Sequence, residues 1–199
     1  MVFSALLLVA CAGLAIATVP RIALPIGGTA EPEEPVIALL SAARAGQSDQ
    51  VRQLIQGGAD VNARVLYEGT PLIQAVRSRN LETVDILLKL GADPDRASLG
   101  EGNPLIVASR LGLQAVVERL VEAGADVNRV VTYDETPLIN AARAGHLSTV
   151  QYLVQRGANV NLGVEADGWL GRWRTPLNQA KDPVVRAYLM EQGATAGRH

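Results

Sequence analysis

Cysteine, histidine and aromatic residues are scarce in this chain of 199 residues. The single cysteine, Cys11, excludes an intramolecular disulfide, so oxidising surroundings are tolerated but not required. There are two histidines and seven aromatic side chains. The sequence has no His-Glu-x-x-His motif and no cysteine pair, and it therefore indicates no metal site.

Signatures of catalysis and of nucleic-acid binding are missing as well. No Gly-Lys-Ser/Thr phosphate loop and no Gly-x-Ser-x-Gly elbow occurs, so we expect neither an enzyme nor a cofactor. The net charge of −2 provides no basic footprint for nucleic acid. Arginine outnumbers lysine by 16 to 2, but the arginines are spread along the chain, which a GC-rich coding sequence explains better than phosphate recognition.

A long uncharged run lies at the N-terminus, in residues 2–19. As a helix it would measure about 27 Å, close to the thickness of a bilayer hydrocarbon core. Three fates are open: cleavage after the small residues 15–17, lipidation of Cys11 at a lipoprotein-like processing box, or retention as a membrane anchor. Residues 20–33 contain several prolines and predict an extended linker.

These fates predict a bacterial envelope protein, periplasmic or anchored in the membrane. A secretory leader normally starts with Lys or Arg, and residues 1–4 contain neither. A misassigned start, or a missing earlier part of a larger membrane protein, would explain that departure. The remaining alternative is a cytoplasmic protein in which residues 1–19 pack on the rest of the chain.

The rest of the chain repeats itself every 33 residues. Each repeat has a Gly-Ala-Asp or Gly-Ala-Asn phrase, which begins at Gly58, Gly91, Gly124 and Gly157. A Thr-Pro-Leu or Asn-Pro-Leu phrase begins at residues 70, 103 and 136, and then at residue 175 after a step of 39, which implies an insertion of six residues. A fixed period of this length is typical of a stacked repeat architecture.

Each period predicts two short helices. The Thr or Asn before Pro supplies a side-chain oxygen for the first free amides, and Pro at the first helical position gives up an amide that has no partner there. A second helix has apolar residues at helical spacing, such as Val84, Leu87 and Leu88, and ends at a glycine suited to the left-handed conformation. Helices of about ten residues are marginal alone, so each pair needs a neighbour.

Residues 69–93, which read GTPLIQAVRSRNLETVDILLKLGAD, resemble an ankyrin repeat. The resemblance covers roughly residues 34–194 and implies an all-α ankyrin-repeat solenoid of about five helix-turn-helix units, joined by short finger turns. The family usually has His after Thr-Pro-Leu, where its ring bonds to the Thr hydroxyl. Here Ile73, Ile106 and Ile139 occupy that position, so we expect an apolar contact in place of the hydrogen bond.

The repeat domain is predicted to span residues 34–196. Its units are expected at about residues 34–64, 67–97, 100–130, 133–163 and 167–195. The first and last are atypical, as end units of a stack must be, because one of their faces meets water. The first has Ile-Ala-Leu in place of Thr-Pro-Leu, and the last is shortened and has Lys-Asp-Pro between its helices.

The resemblance implies a non-enzymatic module that binds a protein partner through its fingers and the concave face of its helices. We expect a monomer with no nucleic-acid partner, and a membrane contact only through an uncleaved or lipidated N-terminal segment. Residues 127–131 and 134–139 are also similar to the ankyrin tails of some bacterial membrane-embedded zinc-peptidase sensors. The alternative is therefore a regulatory or sensory tail of a larger membrane enzyme, although no peptidase motif is present.

Two sets of charged residues recur with the same spacing of 33 residues. Arg44, Arg77, Arg110 and Arg143 end the first helices, and Glu68, Glu101 and Asp134 precede the helix caps by two residues. One interpretation is a cationic row that receives an acidic partner. The other, which we favour, is that each arginine complements the carbonyl end of its helix and pairs with a finger carboxylate. The pair of Arg110 and Glu101 would distinguish them.

The six-residue insertion is the preferred binding site. It contains Trp169 and Trp173, the only tryptophans of the chain, together with Arg172 and Arg174. Tryptophan and arginine dominate binding energy at many interfaces, but the two indoles would equally serve to cover the last repeat. Tyr67 and Tyr133, at equivalent finger positions, are weaker candidates of the same kind.

Overall fold

The computed structural model describes residues 34–132, 134–165 and 173–197. In chain order the elements in these residues are α1 (Glu34–Arg44), α2 (Ser48–Gln56), α3 (Pro71–Arg77), α4 (Leu81–Lys89), α5 (Pro104–Leu111), α6 (Gln114–Glu122), α7 (Pro137–Ala144), α8 (Leu147–Gln155), β1 (Val164–Glu165), β2 (Trp173–Arg174), α9 (Pro176–Gln179) and α10 (Pro183–Glu191).

The helices form two parallel rows. The first helices of the units, α1, α3, α5, α7 and α9, pack on one another in that order, and the second helices, α2, α4, α6, α8 and α10, do the same. Leucines from both rows fill the space between them with exposed fractions of 2% or less, namely Leu72, Leu87, Leu105, Leu120, Leu138 and Leu153. The predicted all-α solenoid of helix pairs is confirmed, and its core runs continuously from unit to unit.

The first helices begin as their sequence predicts. Thr70, Asn103, Thr136 and Thr175 each accept a hydrogen bond from the backbone N–H three residues later, at 2.8 to 3.2 Å. Proline follows each cap at the first helical position. The caps are buried, so the side-chain oxygens satisfy amides that water does not reach.

The second helices end at glycine, also as predicted. Gly58, Gly91, Gly124 and Gly157 have φ between +90° and +99°, a conformation that a side chain would strain. At the first of them, the next amide, that of Ala59, donates to the carbonyl of Leu54 at 3.0 Å. This bond closes the last turn and directs the chain into the next finger.

The isoleucines that replace the family histidine are fully buried. Ile73 lies against Gly69 so closely that a Cβ atom there would sit 3.0 Å from its Cγ2, and Ile106 covers Gly102 in the same way. The apolar contact expected at this position is therefore with the finger glycine. In the fourth unit the equivalent finger residue is Glu135.

Asparagine side chains link successive units on the side of the Gly-Ala-Asp turns. Asn62, Asn128 and Asn161 each donate from Nδ2 at 3.1 Å to the carbonyl of a helix-ending glycine in the next unit, namely Gly91, Gly157 and Gly193. Their Oδ1 atoms accept the backbone N–H two residues beyond that glycine, at 2.7 to 2.8 Å. We refer to these three paired contacts as asparagine clamps.

Asp95 occupies the equivalent position between the second and third units. Its carboxylate accepts the N–H of Asp126 at 3.1 and 3.2 Å, but it has no N–H to offer the carbonyl of Gly124. Burial raises the pKa of Asp95 above its ordinary value. The junction between the second and third units therefore has only one of the two hydrogen bonds of an asparagine clamp.

The last unit departs from the pattern because of its sequence. Helix α9 has four residues, whereas the equivalent helix α7 has eight. Pro183 starts α10, and Asp182 caps that helix by accepting from the N–H groups of Val184 and Val185 at 2.8 and 3.0 Å. The finger that precedes this unit forms the antiparallel pair β1 and β2, in which Val164 faces Arg174 and Glu165 faces Trp173.

The N-terminal predictions fall on residues that the structure does not describe. Residues 1–19, the linker of residues 20–33 and Cys11 all lie outside the described ranges. Among the helices of residues 34–132, 134–165 and 173–197, none has the length and apolar character needed to cross a membrane.

Candidate functional site

The arginine row and the finger carboxylates lie together, but their pairs join successive units. Arg44 approaches Glu68 at 3.5 Å, and Arg77 pairs with Glu101. Each arginine ends a first helix, and its carboxylate belongs to the finger of the following unit. The partner of Glu101 is thus Arg77, and the pairing of Arg110 with Glu101 expected from the sequence is wrong, because stacking brings the next finger over the helix end.

Arg110 has a looser electrostatic partner. Burial raises the pKa of Asp134, in the next finger, and the positive charge of Arg110 opposes that rise. In the described part of the chain no carboxylate lies within 4.0 Å of Arg110. The interpretation of the arginine row as structural pairing is supported at Arg44 and Arg77, and binding of a partner by Arg77 and Arg110 stays a prediction.

The arginine of the fourth unit has a different partner, because Glu135 replaces the finger glycine there. Glu135 has φ +68°, a left-handed conformation that is uncommon for a residue with a side chain. Its side chain is 2% exposed and pairs with Arg143 of α7 and, at 2.5 Å, with Arg174 of β2. Two cations share one carboxylate, so these three side chains together carry a positive charge.

Polar side chains of α9 hold the cluster in place. Arg143 donates from Nε to Oε1 of Gln179 at 3.1 Å, and Nε2 of Gln179 donates to Oδ1 of Asn178 at 3.0 Å. Asn178 in turn donates to the carbonyl of Trp173 at 2.9 Å. The side chain of Arg143 is thereby oriented before any ligand arrives, which reduces the entropy lost on binding.

A pocket of about 530 Å³ opens above this cluster. Its lining consists of three cationic residues, Arg143, Arg174 and Lys181, with Trp173 and the amides of Asn178 and Gln179. The volume lies in the range of ligand-binding clefts. We call this feature the Arg-Trp pocket.

Trp173 is held by a close approach of the backbone. A Cβ atom on Gly163 would lie 2.5 Å from the indole Cε2 atom, so glycine is required there for the ring to occupy its place. The side chain is partly exposed at the pocket wall. The structure thus places Trp173, Arg174 and Arg143, three predicted residues, in one site. Trp169, Arg172 and Tyr133 lie outside the described ranges.

Apolar side chains are exposed on the fingers. Tyr67 is 66% exposed and adopts φ +62°, which strains a bulky residue. Leu66 beside it is 55% exposed, and Leu99 in the next finger is 48% exposed. Nothing in the fold requires an aromatic ring at Tyr67, since Gly100 occupies the equivalent position in the third unit.

Four residues of the pocket region were missed by the sequence analysis: Glu135, Asn178, Gln179 and Lys181. One signal existed for Glu135, because glycine holds the equivalent positions 69 and 102 and only the fourth unit breaks the pattern. The other three required the stacking of α9 on α7.

The chemistry available is recognition by charge, hydrogen bonds and an aromatic ring. Within residues 34–132, 134–165 and 173–197, no group of three His, Cys, Asp or Glu side chains is placed to hold a metal ion. The described pocket lining offers cationic and amide donors for an anionic group.

Comparison with protein families identifies ankyrin repeats in this chain. The model for ankyrin repeats, in three copies, matches residues 7–98 and 97–164, which together exceed half of the chain. A comparison with curated proteins found no match. Helix α9 and the turn that follows it, which contribute Asn178, Gln179 and Lys181 to the Arg-Trp pocket, lie beyond the matched residues.

Proposed function

The chain belongs to the ankyrin repeat family, a family of protein-interaction modules, and from this premise we propose that it acts without covalent chemistry. It binds one protein partner through its fingers and the adjoining face of the first helices, and it does so at the bacterial envelope. Stacked repeats suit this role because their rigid core presents side chains of several units to one surface.

The observation that carries the proposal is the exposed, strained Tyr67. A left-handed conformation at a bulky residue costs about 1 to 3 kcal/mol, and residues held in such conformations cluster at binding and functional sites. With Leu66 and Leu99, this tyrosine forms an apolar surface on adjacent fingers. Aromatic anchors surrounded by apolar contacts are typical of the residues that dominate binding energy.

Site-specific photocrosslinking in cells tests the binding surface. A photoreactive amino acid at Leu66 or Leu99 should give a crosslink to the same protein from both positions. The matched controls are Arg52 and Glu82, exposed residues of the second helices α2 and α4. Crosslinks of equal yield from the controls, or none from the fingers, would contradict the proposal.

The envelope location rests on the uncharged residues 2–19 and on Cys11. We expect the protein in the membrane or periplasmic fraction, and a variant without residues 2–19 in the cytoplasmic fraction. If Cys11 is lipidated, the protein should incorporate labelled palmitate, and Cys11→Ser should abolish that incorporation. Cytoplasmic recovery of the intact protein would refute this part of the proposal and leave the binding surface untouched.

A regulatory tail of a larger membrane enzyme is the alternative, favoured by the likeness of residues 127–131 and 134–139 to such tails. An in-phase reading frame upstream that encodes membrane spans would support it.

A further inference from the structure

Cations outnumber carboxylates among the described residues of the Arg-Trp pocket. Three cations line it, and one carboxylate, Glu135, lies beneath them with 2% of its side chain exposed. A ligand in the pocket would therefore meet the cations and not the glutamate. None of the described residues that line the pocket is acidic.

Lys181 supplies the most accessible of these charges. It is exposed in the turn between α9 and α10, and in the described part of the chain no carboxylate lies within 4.0 Å of it. Arg143 is already oriented by Glu135 and Gln179, so it loses little conformational entropy on binding, whereas Lys181 adds an accessible charge that a ligand can approach without displacing a described carboxylate.

The pocket also selects for more than charge. Trp173 forms one wall beside the guanidinium groups, and Gly163 behind the ring keeps it there. The planar guanidinium fork matches a carboxylate in two-point hydrogen bonding, and the indole covers the apolar stem of a side chain that carries it. This combination suits an aspartate or glutamate side chain within a polypeptide.

We propose that the Arg-Trp pocket binds an acidic peptide segment of a protein partner, with a carboxylate placed between Arg174, Arg143 and Lys181 and the adjoining chain against Trp173. This inference rests on the proposed function and specifies the chemistry of one part of the partner. The finger surface would dock the partner independently of this pocket.

Fluorescence anisotropy with a labelled Glu-Asp-rich peptide tests the inference on the full-length protein. The matched probe is the same peptide with Gln and Asn in place of the acidic residues. We expect saturable binding of the acidic peptide that weakens as salt is added, and no binding of the neutral peptide. Equal binding of both peptides, or none of the acidic one, would overturn the proposal.

The chain has two lysines, which provides a matched pair of variants. Lys181→Gln should weaken binding of the acidic peptide about two- to fivefold, which is the effect expected for one exposed charge. Lys89→Gln, at an exposed position of α4, should leave it unchanged. Equal effects of both variants would show general charge attraction and reject the pocket.

The tryptophan contact is tested through the backbone. Gly163→Ala should displace the indole and weaken binding of the acidic peptide severalfold. Gly197→Ala is the control, because a Cβ there meets nothing within 4 Å, and it should leave the affinity unchanged. Circular dichroism of both variants verifies folding. An unchanged peptide affinity in a folded Gly163→Ala variant would remove Trp173 from the site and contradict the proposal.

Acetylation of the two lysines, read by mass spectrometry, provides a second measurement. The acidic peptide should protect Lys181 and not Lys89. Inorganic phosphate is the competing probe: if it protects Lys181 at concentrations where the peptide does not, the site binds phosphate and the inference is wrong. Finger crosslinks that persist while the pocket fails these tests would leave the proposed function standing.

Discussion

Replacing Asp95 by asparagine should complete the incomplete clamp between the second and third units. In the other three junctions an asparagine Nδ2 reaches the glycine carbonyl of the next unit at 3.1 Å. The introduced amide would offer the same donor to Gly124 and keep its oxygen for the N–H of Asp126. The retained oxygen can also keep the hydrogen bond from Nδ2 of Asn103, which donates to Asp95 Oδ1 at 3.2 Å. The substitution removes no apolar contact, so the added hydrogen bond is the main difference in contacts.

The expected gain follows from that bond. A net intramolecular hydrogen bond contributes about 0.5 to 1.5 kcal/mol, and the exposed setting of the clamps favours the lower half of that range. Burial is the main cause of the raised pKa of Asp95, and Asp126 and Asp93 add to that rise while Arg129 opposes it, so loss of the charge does not oppose the gain. With a urea dependence of about 2 kcal/mol per molar, the unfolding midpoint should rise by about 0.3 to 0.5 M.

The gain should depend on pH. Burial raises the folded-state pKa of Asp95 above the ordinary 3.8, so the folded protein binds more protons than the unfolded chain in the window just above that value. The contribution of Asp95 to stability is therefore largest at acidic pH and falls as pH rises. A protonated Asp95 also carries a donor, so the advantage of Asp95→Asn should be larger at pH 7 than below the ordinary pKa of aspartate.

Urea unfolding followed by far-ultraviolet circular dichroism measures both effects. Asn128→Asp is the mirror control: it removes the donor to Gly157 and should lower the midpoint by a similar amount. If Asp95→Asn leaves the midpoint unchanged at pH 7 while Asn128→Asp is also neutral, the clamps do not stabilise the stack and the reasoning is refuted.

Three further substitutions test the caps, the charge cluster and the end of the stack. Glu135→Gly removes the left-handed strain but also the carboxylate shared by Arg143 and Arg174. We expect the free energy of unfolding in urea to fall by about 1 to 3 kcal/mol, and an increase would mean that the strain outweighs the pairing. Thr136→Ala should cost about 1 kcal/mol because the N–H of Ile139 loses its acceptor, whereas Thr132→Ala, at an exposed finger position, should be neutral by the same assay. Leu189→Ala leaves a cavity beside α10 and should lower the free energy of unfolding by about 2 to 5 kcal/mol. Amide hydrogen exchange should accelerate in α10 and not in α4, because repeats couple mainly to their neighbours, and uniform acceleration would contradict that local coupling.

The finger glycine shows which features the repeat pattern predicts and which it does not. Positions 69 and 102 are glycine, and the pattern predicts a turn there, which the structure contains at φ +98° and +77°. At position 135 the same backbone holds a glutamate. A pattern shows that this residue is unusual, but not that Arg174, 39 residues further along, comes to lie beside it.

The sequence by itself determined the period, the number and type of the helices, their caps and their glycine ends. Those features depend on hydrogen bonds and side-chain spacing within a few residues of each other, so they can be read along the chain. Only the tertiary structure decided that Arg77 meets Glu101 of the next unit, that asparagines bind the neighbouring turn, and that α9 closes a pocket over Glu135. Each of these contacts joins residues about 24 to 44 positions apart, and its geometry is set by how one helix pair packs on the next.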